Sequence, residues 1–198
     1  RVFALPVISF YFHASNLNEM KWIVILGVIW LCPSCLLHGQ QGVYEHITIE
    51  QGLSQGMIFD VLQTRDGFLW VATKDGLNRY DGYNFRIFRN NPFDAFSLSD
   101  NETLHLFEDS RGWLWIGLQN RGMDLYEPKT GRFYHFPVQF QGTGGSSYIR
   151  QIIEDRDGSI WAIQSRGGLI RVQIPASWQK ELPDKENLLP ETTFTQFP

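Results

Sequence analysis

DGFLWVATKDGLNRYDG, residues 66–82, comes back twice in the same chain, as RGWLWIGLQNRGMDLYEP at 111–128 and as DGSIWAIQSRGGLIRVQI at 157–174. Gly67, Trp70, Gly76 and Tyr80 of the first copy line up with Gly112, Trp115, Gly122 and Tyr126 of the second, and with Gly158, Trp161, Gly168 and Val172 of the third. The tryptophans at 70, 115 and 161 recur about every 45 residues. A period between about 20 and 50 residues marks a solenoid, a propeller or another array of stacked units.

Each copy resolves into four short runs with alternating apolar positions. In the first they are IFDVLQT, FLWVAT, GLNRY and FRIFR; in the second TLHLFED, WLWIGL, MDLYE and FYHFP; in the third IRQIIED, SIWAIQ and LIRVQI, with the fourth displaced. Alternation over four to seven residues is the strand signature, and the intervening Asp-Gly and Arg-Gly pairs supply the positive φ that tight hairpins need. The pattern therefore predicts an all-β chain of four-stranded meanders. One such sheet cannot bury both faces alone, and stacking sheets around an axis covers them. The expectation is a partial β-propeller of three blades: 53–91, 98–138 and 147–198, the last with an insertion at 175–193. On this reading Trp70, Trp115 and Trp161 fill the space between neighbouring sheets, and Gly67, Gly112 and Gly158, like Gly76, Gly122 and Gly168, serve turns. A trailing pair of apolar residues spaced by three (Phe85 and Phe88, Phe133 and Phe136, Phe194 and Phe197) is matched by Tyr44 and Ile47, so residues 43–49 read as an outer strand that would close a ring. Propellers carry about four to eight blades; three predict that this is the opening piece of a longer protein.

Composition bounds the function. A chain of 198 residues with 43% hydrophobic and 15% aromatic residues is not a disordered one, and a net charge of −4 gives no field to hold nucleic acid or an anionic membrane. The two cysteines, Cys32 and Cys35, lie outside every repeat, so neither a disulfide framework nor a cysteine zinc site is expected in the folded part. They follow Met20, Lys21 and the apolar block WIVILGVIWL (22–31), which together read as a secretory signal over 20–40. A membrane anchor is the alternative, although about 20 apolar residues are needed to span a bilayer and Pro33 interrupts the stretch. Residues 1–19 read as an upstream extension with no assigned function.

Candidate site residues follow from topology. In a meander blade the connection between the second and third strands falls on the same face as the link between blades. Lys74, Asp75, Asn120, Arg121, Ser165 and Arg166 are thereby expected on one polar rim, able to hydrogen-bond hydroxyl or carboxylate groups. Trp178, in the proline-rich insertion, reads as an exposed aromatic and joins that list. The stretch QGTGGSS (141–147) lacks the following Lys and helix start of a phosphate loop and reads as a link between blades. Asp155 and Asp157 lack the further ligands of a calcium loop. Neither a cofactor nor a metal site is predicted. Enzyme readings find little support: His13, His38, His46, His105 and His135 have no metal-ligand spacing, and no nucleophile elbow occurs. A glycosidase pair would have to come from Asp75, Asp81, Glu108 and Asp124, whose separation the sequence does not give.

The stretch GLSQGMIFDVLQTRDGFLWVATKDGLNRYDGYNFRIF (52–88), with FSLSDN (96–101) leading into the second blade, resembles the two-component regulator propeller repeat over roughly residues 43–198. The third copy departs from the pattern at Ala162, Ile163 and Val172. The resemblance implies the extracytoplasmic, periplasmic sensor region of a hybrid two-component system of the Bacteroidetes type. It would be anchored at the inner membrane in the full-length protein, which would also carry further blades and a histidine kinase. It implies an oligosaccharide ligand, homodimerisation in the full-length protein and no catalysis by this segment. The alternative is a propeller scaffold or part of a secreted carbohydrate-active enzyme.

Overall fold

The computed structural model describes residues 44–138, 148–166, 168–179, 182–184, 188 and 193–197. The expected signal at 20–40, the extension at 1–19 and the link at 141–147 lie outside the described residues. Within residues 46–198, one compact unit, twelve strands form three sheets, and no α-helix occurs among the described residues. The first sheet is β1 (Ile58–Gln63), β2 (Leu69–Thr73), β3 (Gly76–Tyr80) and β4 (Phe85–Phe88). The second is β5 (Thr103–Glu108), β6 (Leu114–Leu118), β7 (Met123–Glu127) and β8 (Arg132–Phe136). The third is β9 (Ile149–Glu154), β10 (Ile160–Gln164), β11 (Gly168–Gln173) and β12 (Thr193–Phe197). Each sheet is a four-stranded antiparallel meander in chain order. The three sheets are the blades of a partial β-propeller, as the repeat pattern predicts.

The turns explain the glycine positions. Gly76 and Gly122 open the third strand of their sheets at φ 108° and 82°. A Cβ on Gly76 would sit 2.7 Å from the Phe88 carbonyl oxygen, and one on Gly122 would collide with the Phe136 carbonyl oxygen. Both the dihedral and the approach of the fourth strand therefore demand glycine.

Sheet stacking follows a repeated rule. The first strand of each following sheet lies against the first two strands of the one before, β5 on β1 and β2, β9 on β5 and β6. This brings the first strands together on the axis side. Trp70, Leu77, Phe88, Leu114, Tyr126 and Phe133 fill the space between sheets one and two. The Trp70 and Tyr126 rings are 5.1 Å apart across that boundary. Trp115, Phe136, Ile149, Ile152, Ile160 and Ile170 fill the space between sheets two and three. At Gly117, a Cβ would meet Ile149 side-chain carbons at 3.0 and 3.1 Å. A small residue in the second strand is thus what lets the next sheet close in, and Ala72 holds the same place in sheet one.

A polar frame accompanies this core. The indole N–H groups of Trp115 and Trp161 donate to Asp109 (3.0 Å) and Asp155 (2.7 Å), and that of Trp70 to Thr64 (3.2 Å), always six residues earlier. Asp109 and Asp155 also accept turn N–H groups from Trp113 and Ser159, so one carboxylate shapes the hairpin and satisfies the ring. Asp155 is therefore a turn and ring acceptor in this fold. Between blades, the Arg65 N–H donates to Glu108 at 3.0 Å and the Ser110 N–H to Glu154 at 2.7 Å, the same clasp one repeat apart.

Two expectations change. Residues 44–48 carry no strand pairing, and Ile49–Gln51 is a single 3-10 turn capped by Thr48. The outer strand predicted at 43–49 finds no partner among the described residues, and an edge without a neighbour forms no ladder. Trp178, expected to be exposed, is 4% exposed. It sits in a 3-10 turn, Ala176–Gln179, which folds back on the second sheet and joins the core with Trp113, Tyr134 and Phe136. Leu188 N–H donates to the His135 carbonyl at 3.0 Å, and Asp184 pairs with Arg132 at 2.7 Å, fixing the described part of the insertion along β8.

Candidate functional site

Within each sheet the turn between the second and third strands is tied to the residue that leads into the first strand. Lys74 N–H donates to Met57 O at 3.1 Å, Gln119 N–H to Glu102 O at 3.1 Å, and Ser165 N–H to Tyr148 O at 2.9 Å. These bonds hold the second-to-third turns beside the axis-side strands at one end of all three sheets. Lys74, Asn120, Arg121 and Arg166 are exposed there, while Asp75 and Ser165 are half-buried. Several are engaged. Asp75 pairs with Arg89 at 3.0 Å, and the Ser165 hydroxyl accepts from Tyr148 N–H at 3.2 Å.

The concavity at this end lies inward of the turns. A cavity of about 380 Å³ is lined by Phe59 of β1, Glu102 and Leu104 at the start of β5, Gln119, and Tyr148 and Arg150 at the start of β9. Three blades contribute to it. Gln119 carries the rim of the second blade into the cavity, and its neighbours Asn120 and Arg121 stand beside it. Lys74, Asp75, Ser165 and Arg166 are not among the lining residues, and Trp178 lies with the turns at the opposite end of sheet two. The turn tips are legible in the sequence, whereas Phe59, Glu102, Tyr148 and Arg150 are brought to this cavity only by the fold. The available signal was the alternation of the first strands, whose solvent-facing side must line the axis. The lining mixes an apolar wall with an acceptor, a donor and an amide. The Arg150 guanidinium carbon lies 5.9 Å from the Tyr148 ring centroid. Such a surface can hold a ligand that presents both hydroxyls and an apolar face.

The carboxylates considered for hydrolysis are all committed to structure. Asp81 accepts turn N–H groups of Tyr83 (2.8 Å) and Asn84 (2.7 Å), and those backbone bonds hold its carboxyl below the usual range. Glu108 faces Arg65 at 3.3 Å. Asp124 is fully buried; its oxygens accept from Ser99 N–H and Oγ, each at 2.8 Å, and lie 2.8 Å from His135 Nδ1. His135 Nε2 lies 3.0 Å from the Ala95 carbonyl, so these three side chains lock the lead-in of the second blade onto its third and fourth strands, with no His between Ser and Asp. Asn78 and Ser54 make the matching lock in the first sheet. Ile170 holds that place in the third.

The family model described as "Two component regulator propeller" matches residues 52–75 and 97–120. The first two repeats are thus similar to the repeat that this family model describes. The two matches run from the Ser-bearing lead-in of each blade to its second-to-third turn, the segment that carries the serine of the lock, the tryptophan and the tied turn. A protein of Formosa agariphila named Histidine kinase P4 is 41% identical over 83 residues, 40% of this chain and 6% of its own length. Two solved structures from B. thetaiotaomicron share the propeller fold. The extracellular domain of a protein assigned as a hybrid two component system is 21% identical with a TM-score of 0.52, covering 72% of this chain and 20% of that one. The extracellular domain assigned to a one component system is 22% identical with a TM-score of 0.51, covering 73% and 20%. The chain spans a small part of the length of the proteins it resembles.

Proposed function

We propose that this segment is part of the extracytoplasmic ligand-sensing region of a hybrid two-component sensor. It would bind a glycan breakdown product, perform no chemistry of its own, and pass the occupancy signal to a histidine kinase module in the same protein. The observation that carries the reading is the axis-side cavity built by three consecutive blades, with Glu102, Gln119 and Arg150 beside Tyr148 and Phe59. Support for the sensor role comes from the family of the repeats and from what the Formosa relative and the B. thetaiotaomicron domains are. A ligand gripped by several blades is well placed to change how they sit against one another, and a conformational signal needs such a differential contact. Further blades and a second copy of the full-length protein are the partners this role calls for.

The test is calorimetric titration of the full-length extracytoplasmic region with a panel of plant and algal oligosaccharides, beside kinase autophosphorylation in the intact protein. One oligosaccharide should bind and alter phosphorylation, and Arg150→Ala should weaken binding by about tenfold or more through loss of a charged donor. Binding that Arg150→Ala and Glu102→Ala leave unchanged would remove this cavity from the account. Release of shorter sugars from the panel would favour an enzyme.

A further inference from the structure

At the opposite end of the second blade, the turns between β5 and β6 and between β7 and β8 meet the folded-back insertion. Together they enclose a second concavity of about 370 Å³, lined by Arg111, Trp113, Glu127, Pro128, Lys129 and Trp178. A neighbouring one of about 440 Å³ shares Glu127 and Lys129 with it and continues past Thr130 and Tyr134 toward Leu182. The feature depends on Trp178, which belongs to an insertion found only in the third repeat.

Three properties of the lining point to a ligand class. The walls include parts of two indoles, Trp113 and Trp178, which are 7% and 4% exposed and held in the core, so the apolar part of the lining is small and fixed. The polar groups are of both kinds. Glu127 is buried at 8% exposure and takes a 2.7 Å hydrogen bond from Thr130, whereas Lys129 is an exposed donor. Arg111 lines the cavity, and its Nε–H is buried with no acceptor among the described residues. The charge is balanced: Lys129 offsets Glu127, and the Arg111 guanidinium is already paired with Glu154 at 2.9 Å and faces Asp109 at 3.5 Å. A strongly charged ligand would find no complement. A neutral ring with an apolar face and a fringe of hydroxyls, which donate and accept, fits the indoles and the mixed polar groups together. The size is at the small end of ligand sites, about 300–1,000 Å³.

We infer that the Trp113–Trp178 cavity is a second binding site, for a neutral sugar unit, with the adjoining cavity taking the next unit of a short oligosaccharide. It is independent of the axis-side cavity and lies at the other end of the blade.

Saturation-transfer NMR on the full-length protein tests this, with cellobiose, maltose, lactose and laminaribiose as probes and L-phenylalanine as the zwitterionic control. At least one disaccharide should receive transfer at its ring protons. Trp178→Ala should reduce its affinity by about tenfold or more, as loss of a buried aromatic anchor does. Lys129→Ala, on an exposed turn where folding is not at stake, should reduce it by about threefold or more through loss of a hydrogen bond. Arg150→Ala should leave this site unchanged, which separates its failure from failure of the axis-side cavity. Transfer to none of the disaccharides, transfer to phenylalanine alone, or transfer indifferent to both Trp178→Ala and Lys129→Ala would overturn the inference.

Discussion

Strands β6 and β7 of the second sheet are buried at every residue, while their counterparts β10 and β11 in the third alternate between buried and open. The two sheets have the same topology and nearly the same motif. What differs is company: the second sheet has a neighbour on each face, and the third has one among the described residues. Trp115 is fully buried and packs on Phe136 at 5.0 Å; Trp161 is half-buried and stacks on Phe197 at 5.8 Å, itself 41% exposed. The lesson extends to single positions. Gly117 lies where Ile149 presses in, and the same place in the third sheet is Ile163, 42% exposed. A repeat position keeps its residue type where a neighbour acts on it and is free to change where none does.

The largest test of that contrast is truncation of the indoles. Trp115→Ala should cost about 3–5 kcal/mol of stability, as removal of a buried ring does, and Trp161→Ala about half as much. Urea unfolding of the two variants against the parent measures both, and equal losses would break the comparison. Next is Gly117→Ile, which copies the third repeat into the second. The Ile149 backbone and side chain cannot retreat without opening the sheet boundary, so a loss of about 1–3 kcal/mol is expected. Ile163→Gly, at the matching open place, should change stability mainly through strand propensity, by about 1 kcal/mol or less. Thermal melts of the pair sharpen the point.

The smallest expected effect is a difference in sign with pH. Burial pushes the Asp109 carboxyl up, and the Trp115 indole bond opposes it. The Trp161 indole bond holds Asp155 down, against desolvation. An acid raised in the folded state costs stability when ionised, so acidification through that raised value toward 3.8 relieves the cost. An acid lowered in the folded state contributes stability above 3.8 and loses it as pH falls toward its folded value. Melting temperatures of Asp109→Asn and Asp155→Asn across this acid range should therefore move apart. The first should lose more stability than the parent on acidification, and the second less.

Much of the fold was legible because it rests on local chemistry repeated three times. Strand alternation, positive-φ glycines and the period of the tryptophans each follow from hydrogen-bond geometry within a hairpin, and all twelve strands lie where the runs predict them. The strand expected at 43–49 failed for the complementary reason, since a lone outer strand is defined by a partner and none is present among the described residues. The rim was legible at the level of its turns. Its concavity was not, because Phe59, Glu102, Tyr148 and Arg150 come together only when three first strands converge. Trp178 was read as exposed since nothing local in a proline-rich stretch tells which distant surface will cover an aromatic ring.

The sequence by itself determined the meander, its period and its turn chemistry, since each depends on residues a few positions apart. Tertiary structure alone decided which sheet faces are covered, where the insertion docks and which side chains meet in the two cavities. Those outcomes depend on surfaces from different repeats fitting together, and the free energy of that fit belongs to no single stretch of chain.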